Sequence, residues 1–258
     1  MDIRVLKRRF EAIGARVEVE ERPWLGMPTI DVLSDRHGEY FELRFSGGNE
    51  VELDVVDASP ARHHLVLLVR DGEDKSKFLF GLDERHWFVA AIPEATRGVS
   101  GVAKAIEALQ PDEVREAVDR AKPKDLRRRK NTAFVRQGEW FFLPEPGLQV
   151  ANSLVLHNEP LVRSGSTAHV MEYAFRQGGA TVYVNRTHPT GLSEAEYQAL
   201  PEKKKRGSWQ KMVRDAAVYA KGAIRHPDHA TIVLTGWHRV LMNTEQRARA
   251  MRHVVFLD

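Results

Sequence analysis

His63-His-Leu-Val-Leu-Leu-Val-Arg70, Asp71-Gly-Glu-Asp74 and Lys77-Phe-Leu-Phe-Gly-Leu82 follow one another with only Lys75-Ser76 between the last two. Two short apolar, β-branched and aromatic runs joined by a polar turn containing glycine predict a β-hairpin. The run is too short for a membrane helix and lacks the spacing of an amphipathic one. Asp83-Glu-Arg-His86 then predicts a second polar turn, into a strand over Trp87–Ile92.

Upstream the pattern continues. Strands are expected over 29–34, 39–45 and 50–57, separated by the turn signals Ser34-Asp-Arg-His-Gly38 and Ser46-Gly-Gly-Asn49. Together with 63–92 they predict an antiparallel meander with one wet face. On that face Asp31, Glu42 and Arg44 alternate with apolar residues, as do Glu52 and Asp54. Asp31, Glu42 and Arg44 faintly resemble a nuclease core, but the lysine such a core needs is an arginine, which does not give up its proton. Ala15-Arg-Val-Glu-Val-Glu20 alternates as a strand. Before it, Val5, Leu6, Phe10 and Ile13 form the apolar stripe of a helix over 2–14, stopped by Gly14.

After Pro93 the period becomes helical, over Gly98–Gln110 and Asp112–Ala121. Pro111 and the acidic residues behind it suit a helix start. Lys122-Pro-Lys-Asp-Leu-Arg-Arg-Arg-Lys130 then reads as a basic linker.

The second half opens with a hairpin of Thr132–Arg136 and Glu139–Leu143 about Gln137-Gly138. A second hairpin, His169–Arg176 with Ala180–Asn185, is expected about Gln177-Gly-Gly179. Ser193 and Glu196 have the spacing of a capping box and predict a short helix over Ser193–Leu200. Pro201–Gly207 reads as a basic loop. Gly222–Arg225, Thr231–Leu234 and Trp237–Met242 read as strands, the last two as a hairpin through Thr235-Gly236. A helix over Asn243–Arg252 and a strand over Val254–Leu257 close the chain. The expected class is α+β: largely antiparallel sheets with a few flanking helices, in two domains. These are an acidic 1–121 and a basic, histidine-rich 131–258, joined by 122–130.

Charge supports the division. Residues 1–121 carry 17 Lys+Arg and 24 Asp+Glu, a net of −7, whereas 122–258 carry 22 and 12, a net of +10. A basic unit of this kind attracts polyanions. With no cysteine, disulfides, thiolate metal sites and cysteine nucleophiles are excluded, which suits a reducing compartment. The charged start of the chain lacks the apolar stretch of a signal peptide, and no apolar run approaches the length of a membrane span. The expectation is a cytoplasmic protein with no membrane segment.

Neither a phosphate-cradling G-x-x-x-x-G-K-[ST] nor a dinucleotide G-x-G-x-x-G occurs. Chemistry therefore falls to the histidines. Seven of the eleven lie in the basic half: His157, His169, His188, His226, His229, His238 and His253. His226-Pro-Asp-His229 forms a turn, and His238 follows nine residues later. Imidazoles titrate near neutral pH, so His226, His229 and His238, with His169 in reserve, are candidate general acids and bases on a phosphodiester. His226 and His229 with Asp228 or Glu172 could equally ligate a divalent metal. Arg163-Ser-Gly-Ser-Thr167 is a small polar loop able to offer amides to phosphate.

Arg127, Arg128, Arg129, Lys130, Lys203, Lys204, Lys205, Arg206, Arg225 and Arg239 are the candidate phosphate contacts. Lys204, Arg206 and Arg225 are the pick for neutralising a scissile phosphate. Trp140, Phe141, Trp209, Tyr219 and Trp237 lie among the basic residues, and aromatic faces stack on unpaired bases. Trp140, in Glu-Trp-Phe-Phe-Leu, reads better as core. The leading expectation is a protein that binds RNA or single-stranded DNA, with histidine-dependent phosphodiester chemistry as an extension. A divalent-metal-dependent enzyme on a small substrate and a protein-interaction module are the alternatives. No cofactor is assigned, and the oligomeric state stays open.

Overall fold

A computed structural model describes residues 2–22, 28–46, 51–121, 131, 133–163 and 167–253. The chain is built mostly of antiparallel sheet with few helices, within the α+β expectation. Residues 122–130, with Arg127–Lys130, lie outside the described residues, as do 164–166 and the strand expected over Val254–Leu257.

Helix α1 spans Ile3–Ala12. The Asp2 carboxylate caps it by accepting from Arg4 N at 2.8 Å, satisfying one of the amides a helix start leaves unpaired. Its apolar stripe puts Leu6 and Phe10 in the core. Strands β1 (Val17–Arg22), β2 (Thr29–Asp35) and β3 (Gly38–Ser46) form a sheet in the order β1-β3-β2. The tight β2–β3 turn fixes one edge of β3. β1 takes the other edge and runs parallel to it, a departure from the all-antiparallel pattern.

Strands β4 (Val51–Ser59), β5 (His64–Asp71), β6 (Asp74–Asp83) and β7 (His86–Ile92) form a separate meander, each strand antiparallel to its neighbour. The apolar run 65–69 is explained by burial on both faces. Leu65, Leu67 and Val69 join the core under α1, while Val66 faces helix α2 (Val102–Ala108) on the other side. Phe10, Phe41 and Phe80 meet edge-on or tilted, with ring centroids 4.9–5.6 Å apart. That geometry adds about 0.5–1.5 kcal/mol per aromatic pair beyond area burial.

Helix α3 (Asp112–Asp119) leads into the second half. There β8 (Val135–Gln137), β9 (Trp140–Pro144), β10 (Leu156–Leu161), β11 (His169–Gln177), β15 (Ala217–Arg225) and β16 (Ile232–Met242) form a six-stranded sheet in the order β10-β11-β15-β16-β9-β8. Trp140 is buried in its core, as expected. Between β11 and β15 the chain leaves this sheet. It builds an arm of β12 (Ala180–Asn185), β13 (His188–Ser193), α4 (Glu194–Gln198), α5 (Glu202–Lys205) and β14 (Gln210–Arg214), with sheet order β13-β12-β14.

Besides the parallel β1 and the division of the expected N-terminal meander between two sheets, four expectations change. β11 and β12 are not a hairpin, because Gly178 and Gly179, at φ 69° and 88°, turn the chain from one sheet into another. The basic loop contains a helical turn, α5. Thr235-Gly236 is no turn: β16 runs unbroken through it, paired to β15 on one side and β9 on the other. In place of one helix over 243–252 stand two 3-10 segments, Glu245–Arg247 and Arg249–His253. Long-range contacts hold them: Glu94 accepts from Arg249 N and Ala250 N, and Arg163 pairs with Glu245 in the interior.

The two halves meet in several places. Ala248 and Ala250 pack in the core under α1, Thr244 N bonds Leu109 O, and Arg136 pairs with Asp83. No helix among the described residues is long and apolar enough to cross a membrane.

Candidate metal centre

The antiparallel register of β11 and β15 sets Val170 opposite Arg225. His169, first residue of β11, therefore lies beside His226, the first residue after β15. The connection to β16 then folds His229 back onto both. Ring centroids are 4.2 Å apart for His169–His226, 4.7 Å for His226–His229 and 5.5 Å for His169–His229. One nitrogen from each ring lies within 4.8 Å of the others, and all three residues are buried.

Three elements hold this turn. Gln137, fully buried at the end of β8, donates from Nε2 to Ala230 O at 2.7 Å. Glu84, in the turn between β6 and β7, accepts from Ala230 N at 2.7 Å through Oε2, and that oxygen lies 3.7 Å from His229 Nδ1. Asp228 N donates to His226 Nδ1 at 3.2 Å, and the Asp228 carboxylate lies 4.0 Å from the same nitrogen. Thus each of these two rings turns Nδ1 toward a carboxylate. A ligating histidine needs this outer acceptor to fix its tautomer with the proton on Nδ1, leaving Nε2 for a cation. On His226 that tautomer requires Nδ1 to exchange the Asp228 amide for the Asp228 carboxylate.

The Nε2 atoms of His229 and His169 face the turn between β8 and β9. A β-carbon on Gly138 would lie 3.0 Å from His229 Nε2 and 3.5 Å from His169 Nε2. Neither nitrogen of His169 has a hydrogen-bond partner.

Burial, and then repulsion from His226 and His229, pushes His169 down to about 3. Removing an imidazolium from water is costly, and a second positive ring alongside adds to the cost. At neutral pH His169 therefore presents a lone pair. A neutral imidazole is what a divalent transition cation takes, whereas a general acid must carry a proton near working pH.

Further out, Asp228 Oδ1 is 4.0 Å from His86 Nε2, and His86 Nδ1 contacts Glu39 Oε1 at 2.6 Å. His86 and Glu39 also line an open cleft with Arg16, His37, Arg85 and Trp87. Arg136 stands beside Asp83, and burial lowers its affinity for its proton while Glu84 and Glu139 raise it.

The structure thus brings together His169, His226 and His229 and sets His238 apart. His238 pairs with Ala220 and Pro144 within the six-stranded sheet, six residues along β16 from Ile232, about 20 Å at the rise of a strand. Its Nδ1 contacts Gly236 O at 2.8 Å. Glu172 is not in the cluster, since its carboxylate accepts from Ala223 N at 2.7 Å.

Lys203, Lys204, Lys205 and Arg206 sit on the arm, around α5. Arg225 donates to Asn158, and Arg239 pairs with Glu113 of α3 at 3.4 Å, both on the six-stranded sheet rather than on the arm.

Sequence reasoning passed over Glu84 and Gly138. In the sequence, Asp83–His86 and Gln137-Gly138 each read as polar turns that need no further role. Nothing local signals that Glu84 meets residue 230.

Comparison with known proteins finds no matching family model, no matching curated protein and no matching solved structure.

Proposed function

We propose that this protein holds one divalent transition-metal ion on His169, His226 and His229, and that it is a metal-dependent enzyme acting on a small substrate. The observation that carries the reading is the convergence of three buried imidazoles from two segments, one of them held neutral with neither nitrogen hydrogen-bonded. Three protein ligands are the number found in catalytic sites, where the remaining position takes water or substrate; structural sites close with four. An ion so held lowers the pKa of bound water and polarises oxygen. Glu84 and Asp228 supply the outer carboxylates.

The test is metal stoichiometry of the purified chain by mass spectrometry, then Zn(II) titration of the stripped protein. One ion per chain is expected for the wild type and for His238→Ala, with loss in His169→Ala and His226→Ala. No uptake, or equal loss in His238→Ala, would end the proposal.

A second reading rests on the arm. Lys203–Arg206 lie on one exposed turn, pinned where Trp209 Nε1 donates to Lys204 O at 3.0 Å. Tyr197, whose ring is 5.2 Å from Trp209, stacks on Tyr183 at 4.0 Å. Basic charge beside aromatic faces suits RNA or single-stranded DNA. Anisotropy of a labelled single strand across a salt series, with Lys203, Lys204, Lys205 and Arg206 changed to alanine, tests it. Unchanged binding would remove the arm from that role.

A further inference from the structure

Gln137 pairs with Trp140, leaving Gly138 and Glu139 as a two-residue hairpin loop. Only the glycine has positive φ, at 55°. This is the glycine-first hairpin turn, and it accounts for a glycine by backbone conformation alone. The space beside that glycine is a separate matter. At Gly72, in the turn between β5 and β6, φ is 60° and a β-carbon would meet nothing within 4 Å. At Gly138 the same atom would meet a nitrogen of two of the three histidines, His229 and His169.

The distances have a specific meaning. Bonds of about 2.0–2.1 Å in a tetrahedral centre place neighbouring ligand atoms about 3.3 Å apart. The β-carbon that Gly138 lacks would stand 3.0 and 3.5 Å from His229 Nε2 and His169 Nε2, the spacing of a further ligand atom. Glu84 and Asp228, the carboxylates that face His229 and His226, do so on the Nδ1 sides of the rings.

The geometry points to Gly138 as the residue that keeps one coordination position open for an exogenous ligand of the size of water or a small anion. The ligand is small because the ring nitrogens of His169 and His229 are buried. This inference rests on the metal reading above and assigns its open position.

The experiment uses the full chain loaded with Co(II), whose visible absorption reports coordination number and ligand, titrated with azide. The wild type is expected to bind one Co(II) and to respond saturably to azide. Gly138→Ala places a β-carbon in the space, and Gly138→Asn does so with a residue that tolerates positive φ. Both are expected to keep stoichiometric Co(II) and lose the azide response at least tenfold in affinity. Gly72→Ala, at a similar positive φ and with no neighbour within 4 Å, is expected to respond as the wild type does.

A wild-type spectrum indifferent to azide would overturn the inference, because a protein group then closes the centre. So would Gly138 variants that respond normally, or ones that lose Co(II) while Gly72→Ala keeps it, since the space would then belong to the ion itself. Failure of the wild type to bind Co(II) at all is the distinct result that sinks the metal reading.

Discussion

Removing the Glu84 carboxylate tests whether the N-terminal meander tunes the histidine cluster. Glu84 accepts from Ala230 N at 2.7 Å and stands 3.7 Å from His229 Nδ1. Ala230 is exposed, so in Glu84→Ala water replaces the lost acceptor. The metal-free protein should then lose about 1.5–3 kcal/mol, the net value of a hydrogen bond to a charged group. Loss of an outer-shell partner of a ligating histidine costs about 10–100-fold in metal affinity.

At a free metal concentration 100 times the wild-type Kd, binding stabilises the wild type by about 2.7 kcal/mol. The variant should gain only about 0.4–1.4 kcal/mol under the same conditions. The difference, about 1.3–2.3 kcal/mol, corresponds to roughly 3–9 °C in a chain of this size. The assay is thermal denaturation of stripped and Zn(II)-loaded protein, wild type beside variant, with Kd values from competition against a chromophoric chelator. Equal metal-dependent shifts in Tm would refute the reasoning and leave Glu84 as a clamp on the turn.

Three further outcomes are expected. His169 is held to about 3 in the folded chain against an ordinary value of 6.5, so the metal-free protein should keep full stability above pH 6.5. It should lose up to about 4–5 kcal/mol as pH falls from 6.5 toward 3, because only the unfolded chain takes the proton; urea midpoints at stepped pH, with His169→Gln flattening the slope, check this. Glu245→Ala breaks the buried ion pair with Arg163, 2.5 Å from Glu245 Oε1, and should cost about 3–5 kcal/mol by chemical denaturation. Phe10→Ala, at the centre of the aromatic cluster, should cost about 3–5 kcal/mol without altering metal stoichiometry.

Local signals in the sequence were sufficient for many elements. The apolar stripe of α1, the turn chemistry at 71–74, 83–86 and 137–138, and the capping box at Ser193 each depend on residues a few positions apart. Those elements stand where the pattern placed them. The same signals misjudged the Gly178-Gly179 turn and Thr235-Gly236. A glycine pair permits a turn but does not choose the sheet the next strand joins, and β16 is held straight by partners on both sides.

By itself, the sequence determined the class of the fold, the absence of thiol chemistry and the short list of histidines. Which histidines meet was decided only in three dimensions. The pairing of β11 with β15 sets His169, from more than fifty residues earlier in the chain, beside His226. His238, only nine residues beyond His229, is carried away along β16. The carboxylate facing His229 comes from Glu84, 146 residues from the turn it clamps. Periodicity reports which face a residue occupies. It does not report strand register between distant segments, and register is what assembles this site.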